Sequence, residues 1–350
     1  MNKLKTTLFL FAISFSTIAQ QKPQNVIFMI GDGMGLSQIS TAIHFKGSPS
    51  AFEQFQYIGF VKTSSAVQKV TDSAGAATAY ATGQKSFNRA ISVNTDSVAI
   101  PTILEQLEAK NFATGLISIC SITDATPACF YAHTTDRGQH EIIAAQLPAS
   151  GVDFVAGGGR QYFSSRADGA NYLDDLKKRG YQVDTTVRYD QINSSQKYAY
   201  LVHETNLPGR HEGRDDYFPK TVNTALQYLS GKKENFFLMA EGSYIDWAGH
   251  RNDKEMMIAE QLDFDEALQI AIDFVKQDKN TLLVVTADHE TGGTAVTKGE
   301  TQDKLNVEFV TDQHTATMVP IFAMGPGAEL FQGIYENNEV YHKLRALIGF

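Results

Sequence analysis

The 350-residue sequence has only two cysteines, one tryptophan and nine prolines. Two cysteines, Cys120 and Cys129, cannot build a disulfide-stapled scaffold, and neither has a partner at a spacing that suggests a zinc site. They lie either side of a Ser-Ile-Thr-Asp-Ala-Thr segment and could bridge in an oxidising compartment, but free cysteine is among the most buried residue types, which favours two buried thiols. Basic charge is also short, with 30 Lys and Arg against 39 Asp and Glu for a net charge of −9. No basic stripe is present to grip a phosphate backbone, which excludes a nucleic-acid-binding module as the main role. Any phosphate must therefore be held by local positive charge or by metal. Low-complexity tracts, repeats and linkers are absent, and 43% hydrophobic with 20% charged residues is an ordinary globular balance that excludes disorder.

No apolar run is long enough to span a bilayer. The one near the N-terminus, Leu8 to Phe15, follows Lys3 and Lys5 and precedes Thr17-Ile-Ala19. That order of charged, apolar and small residues is a secretory signal, with cleavage expected after Ala19 and the product exported to the periplasm or the medium. Loss of Lys3 and Lys5 leaves 28 basic against 39 acidic residues. No cysteine follows the apolar run, so lipid anchoring is not expected. Residues 20–350 then read as a single α/β domain.

Apolar runs that read as buried strands recur along this domain at 25–30, 58–61, 113–120, 154–156, 199–202, 236–240, 281–286 and 319–324. Helical patterns fall between them, over 36–45, 74–81, 99–110, 171–178, 217–229, 253–277 and 338–347. Alternation of this kind predicts an α/β three-layer sandwich, a mostly parallel central sheet with helices on both faces. Residues 294–313 read as a polar excursion, a hairpin in outline.

Polar residues collect just past the carboxyl ends of these strands, the edge where ligands bind in open α/β sheets. Asp32 follows the first strand in Gly31-Asp-Gly-Met-Gly35, whose spacing departs from a dinucleotide-binding turn. Taken singly, Asp32 makes a turn with Gly33. Asp124 and Thr126 follow the third strand, and Arg137 comes shortly after. A planar guanidinium such as that of Arg137 can hold a tetrahedral oxyanion through two parallel bonds, where a surface arginine is merely solvated. Glu241 ends the strand at 236–240. Asp246 and His250 follow at a spacing that puts both on one helical face, which suits either a metal pair or a surface pair. Asp288 and His289 are adjacent, so both reach one metal only if the backbone turns at Gly292-Gly293. His314 precedes the last strand.

Ser73 sits at the start of an alanine-rich segment, after the capping types Thr71 and Asp72 and before the helix-ending Gly83. Unpaired backbone N–H groups and the positive end of the helix dipole favour an anion there, and a serine in that place is a candidate nucleophile. A purely structural protein has little reason to gather uncompensated carboxylates on one sheet edge.

In order along the chain, Gly31-Asp-Gly-Met-Gly, Thr71-Asp-Ser-Ala-Gly-Ala-Ala-Thr, Asp124-Ala-Thr-Pro-Ala, Glu241-Gly-Ser-Tyr-Ile-Asp, Thr286-Ala-Asp-His-Glu-Thr-Gly-Gly and the late His314 resemble the alkaline phosphatase family from Val26 to the end. The resemblance implies a broad phosphate-monoester hydrolase with two zinc ions and one magnesium ion. Ser73 would be the nucleophile that forms a phosphoserine and would face the second zinc. Asp246, His250 and His314 would hold the first zinc, and Asp288, His289 and a bridging Asp32 the second. Thr126 and Glu241, with Asp32, would hold magnesium, Asp124 acting on it through water. Arg137 would clamp phosphate. Trp247 stands beside the zinc aspartate where many relatives carry lysine or histidine. The stretch from Gly293 to His314 is shorter than the crown-like insertion of many relatives, which bears on the homodimer expected of the family. The rival readings are a two-metal phosphodiesterase or nucleotide pyrophosphatase and a non-catalytic secreted metal- or phosphate-binding protein. A sulfatase is excluded by the absence of a Cys-x-Pro-x-Arg stretch.

Overall fold

A computed structural model describes residues 22–301 and 304–350. The signal segment and its cleavage point after Ala19 lie outside the described residues. Ten strands form one sheet: β1 (Asn25–Gly31), β2 (Tyr57–Lys62), β3 (Ala113–Ser121), β4 (Phe154–Gly158), β5 (Tyr181–Asp184), β6 (Lys197–Leu201), β7 (Phe236–Gly242), β8 (Thr281–Thr286), β13 (Val319–Met324) and β14 (Gly333–Glu336). Between β8 and β13 lie four short strands, β9 (Glu290–Thr291), β10 (Ala295–Lys298), β11 (Leu305–Glu308) and β12 (His314–Thr315). The order across the sheet is β14-β2-β13-β8-β1-β7-β3-β4-β6-β5, and every pairing is parallel except the two that β13 makes with β8 and β2. All residues of β3, β7 and β8 are buried, the expected consequence of helices covering both faces of a parallel sheet.

Two neighbours on β7 show the layers directly. Phe237 packs on Phe130, while Phe236 packs on Phe274 of the helix Lys254–Asp278. Successive strand side chains point to opposite faces, so these partners belong to opposite helical layers. The long helix shares its layer with Leu36–Phe45 and Tyr217–Ser230, and Ser73–Thr82 packs in the other against Asn338–Ile348 and Ala125–Ala128. The expected three-layer sandwich is thus observed.

Differences from the sequence reading have local causes. The helix expected over 99–110 runs only from Ile103 to Glu108, because Thr102 and Glu105 form a capping box that fixes its start. Strands β5 and β14 at the two ends of the sheet were not anticipated; both are four residues long and mix polar with apolar side chains. The polar excursion is a hairpin, β10 pairing antiparallel with β11. Cys120 and Cys129 are buried and unbridged, as expected.

Candidate functional site

The carboxyl ends of the central strands carry the site. Helix Ser73–Thr82 begins beside them, with Asp72 as its cap accepting a hydrogen bond from Gly75 N at 2.9 Å. Gly83 closes that helix in the left-handed region, φ 73°. Ser73 is buried, and its Oγ lies 3.2 Å from His289 Nε2.

His289 Nε2 in turn lies 3.2 Å from Asp288 Oδ2 and 3.5 Å from Asp32 Oδ1. The backbone does turn after β8, and that turn lets the adjacent Asp288 and His289 face one point. Asp288 is fixed by Gly33 N, which donates to its Oδ1 at 3.1 Å. Gly33 has φ 72°, and a Cβ there would meet the Asp246 Cα at 2.6 Å, so this glycine is required both for the turn and for the approach of the next helix.

That helix, Tyr244–Arg251, presents Asp246 and His250 on one face. His250 Nε2 is 3.4 Å from Asp246 Oδ2 and 3.0 Å from His314 Nε2, and His314 Nε2 is 3.4 Å from Asp246 Oδ1. The rings of His289 and His314 stack at 3.6 Å, which joins the two groups. Asp32, Asp288 and His289 thus form one set of convergent ligand atoms, and Asp246, His289 and His314 another, with His250 alongside.

Around these sets, Glu241 accepts from Ser118 Oγ at 2.6 Å, and Thr126 offers a buried hydroxyl with no partner. Arg137 is held by two carboxylates, Nη2 to Asp124 Oδ1 at 3.0 Å and Nη1 to Asp72 Oδ2 at 3.3 Å. Asp124 orients the arginine and also accepts from Ala125 N. Asp72, a capping type in the sequence, also grips Arg137, a contact with no local signal in the sequence. Trp247, beside Asp246, packs on Tyr244 with ring centres 4.3 Å apart and the ring planes tilted by 48°.

The electrostatics are those of a site short of positive charge. Burial, and then the charges of Asp288, Asp246 and Glu241, push the Asp32 carboxyl well above the usual carboxylate range. Burial raises Glu241 to about 7; the Ser118 hydrogen bond opposes the rise and the Asp124 charge adds to it. Burial would raise Asp246 too, yet the His314 hydrogen bond, with the three histidines gathered around it, outweighs burial and holds this carboxyl low. Burial lowers His289 to about 4, so its ring is neutral near pH 7. Other buried acids of the chain are fully engaged, as Asp265 is by Lys46, Ser50 and Ala51 N. Asp32 Oδ1 and Asp288 Oδ2 instead face the site without a hydrogen-bond partner. Buried carboxylate oxygens left open in this way fit divalent cations, and the mixed nitrogen and oxygen set around His289 suits zinc.

A family model for alkaline phosphatase matches residues 23–305 and 294–350. The chain belongs to the alkaline phosphatase family. It is 40% identical over 296 residues to alkaline phosphatase 3 of Bacillus subtilis (strain 168), an alignment covering 79% of this chain and 63% of that protein's length. The alkaline phosphatase of Escherichia coli (strain K12) is 28% identical over 412 residues, with 95% of this chain and 88% of the other covered. Among solved structures, the alkaline phosphatase of the Antarctic bacterium TAB5 superposes with a TM-score of 0.91 at 42% identity, over 95% of this chain and 99% of that one. A histidine-to-aspartate variant of the TAB5 protein carries magnesium in its M3 site.

Proposed function

We propose that this protein hydrolyses phosphate monoesters through a phosphoserine on Ser73 and releases inorganic phosphate. The observation that carries the reading is the Ser73 Oγ contact with His289 Nε2 at 3.2 Å, at a helix start and beside the open oxygens of Asp32 and Asp288. Family membership and the likeness to solved phosphatases support it.

The ester binds with its phosphoryl group between Arg137 and the start of the Ser73 helix. The guanidinium contributes two donors to phosphoryl oxygens, and Asp72 and Asp124 keep its plane aimed. Ser73 Oγ attacks phosphorus in line and passes its proton to solvent, the bond from phosphorus to the ester oxygen breaks, and the alcohol departs with a proton taken from solvent. Water then attacks the phosphoserine in line from the side the alcohol has vacated, opposite Ser73 Oγ, and gives up a proton to solvent; the bond from phosphorus to Ser73 Oγ breaks, the serine takes up a proton and inorganic phosphate leaves. Two inversions give retention at phosphorus. Because the contacts fall on the phosphoryl group, the alcohol contributes little to recognition and specificity is broad.

Asp246, His250 and His314 would hold one zinc ion, Asp32, Asp288 and His289 the second facing Ser73, and Asp32, Thr126 and Glu241 a magnesium ion. Such cations, when bound, ease deprotonation of serine and water and offset charge on the entering and leaving oxygens. The exported location and the homodimer are further parts of this proposal. Among the described residues, no helix is long and apolar enough to cross a membrane.

The test is phosphate release from 4-nitrophenyl phosphate, before and after a chelator and after readdition of zinc and magnesium. Activity that is lost and then restored supports the reading. A preference for the bis-ester over the monoester would favour a phosphodiesterase instead.

A further inference from the structure

We propose that Thr291 is a positioning residue that couples the two histidine-containing cation sites and fixes which nitrogen of His289 faces Ser73. The proposal rests on the reading of those sites given above. Thr291 is fully buried on β9, and its position is set by backbone: its N–H donates to Gly33 O at 3.2 Å, and its carbonyl accepts from Gln38 Nε2 at 2.8 Å. Its hydroxyl lies between a ligand of each site. Oγ1 donates to Asp246 Oδ1 and lies 3.2 Å from His289 Nδ1.

A hydroxyl has one proton and two lone pairs. The Thr291 hydroxyl donates to the carboxylate of Asp246, so its one proton is committed there. Towards His289 the oxygen can then only accept. Nδ1 then carries the ring hydrogen, and Nε2 turns its lone pair towards Ser73 Oγ and towards the space a cation would share with the open oxygens of Asp32 and Asp288. The chain Nδ1–H to Oγ1 to Asp246 therefore sets the tautomer that a ligand or proton-accepting Nε2 needs. It also makes Asp246 of one site and His289 of the other share one hydroxyl, so that disturbing either loosens both.

The experiment compares the wild type with Thr291→Val, which keeps the volume and removes the hydroxyl, and Thr291→Ser, which restores it. Zinc retention is measured by competition with a chromogenic chelator, and the His289 tautomer by 15N chemical shifts of the cation-free protein. The expected result is a ten- to hundredfold loss of zinc affinity in Thr291→Val, the range typical of groups that orient metal ligands. Mixed or reversed protonation of the His289 ring accompanies it, and Thr291→Ser is close to wild type in both. Unchanged affinity and an unchanged tautomer in Thr291→Val overturn the proposal, as does a loss that Thr291→Ser fails to repair. A wild type that binds no zinc would instead overturn the cation sites themselves, which keeps the two failures apart.

Discussion

Ser73 Oγ and His289 Nε2 stand 3.2 Å apart although 216 residues separate them in the chain. The sheet order places the turn after β8 near the start of the Ser73 helix, and the contact is a product of topology. Tyr80 of the same helix reinforces it from below, its hydroxyl donating to Ala287 O at 2.7 Å, two residues before His289.

Replacing Ser73 with alanine removes the proposed nucleophile from a helix start that Asp72 caps independently. Phosphate release is expected to fall at least about a thousandfold. The far-ultraviolet circular dichroism and unfolding midpoint should stay close to wild type. Retained turnover in the alanine variant would show that some other group attacks the ester.

Arg137→Ala is expected to lower kcat/KM by roughly ten- to a hundredfold, matching the about 1.5–3 kcal/mol of a charged hydrogen bond. Inorganic phosphate should inhibit the variant more weakly by a similar factor. Asp124→Asn should have a smaller effect in the same direction, because Asp72 still holds the other guanidinium nitrogen. Steady-state kinetics with phosphate as inhibitor checks both.

Gly33→Ala tests the junction of the two sites. The new Cβ would stand 2.6 Å from the Asp246 Cα in a left-handed conformation that alanine resists. A loss of about 1–3 kcal/mol in stability is expected, together with weaker zinc retention. Denaturant unfolding and the chelator competition measure the two effects.

Much of this arrangement was legible in the sequence, and the limits are physical. Strands such as Thr281–Thr286 declare themselves because a parallel sheet covered on both faces requires unbroken apolar runs. Short end strands such as Tyr181–Asp184 and Gly333–Glu336 carry a weaker pattern, being only partly buried. Asp246 and His250 could be paired from helical spacing. The pairing of Asp32 with His289 could not, since nothing local encodes the sheet order, and only the resemblance of ordered motifs brought them together. The Arg137 contact with Asp72 and the hydroxyl bridge of Thr291 were invisible for the same reason: no local pattern encodes either, and Asp72 already had a sufficient explanation as a cap.

A pH dependence remote from the site follows from Glu108. Burial raises this carboxyl to about 7 from about 4.5, the Thr114 hydrogen bond opposing the rise and the Asp153 charge adding to it. Between those values the unfolded chain ionises the group while the folded chain keeps its proton, so its contribution to stability falls as pH rises from about 4.5 to about 7 and is level above. Glu108→Gln should remove this contribution. The stability advantage of the variant over wild type is expected to grow across that window, and thermal unfolding at several pH values checks it.

The central claim is that a phosphoryl group passes through Ser73. Acid quenching of the zinc- and magnesium-supplemented enzyme during turnover of a phosphate monoester, followed by proteolysis and mass spectrometry, tests it directly. Phosphate is expected on the peptide that contains Ser73, and none when Ser73→Ala is treated alike. Steady turnover with label on a different residue, or turnover undiminished in Ser73→Ala, would contradict it.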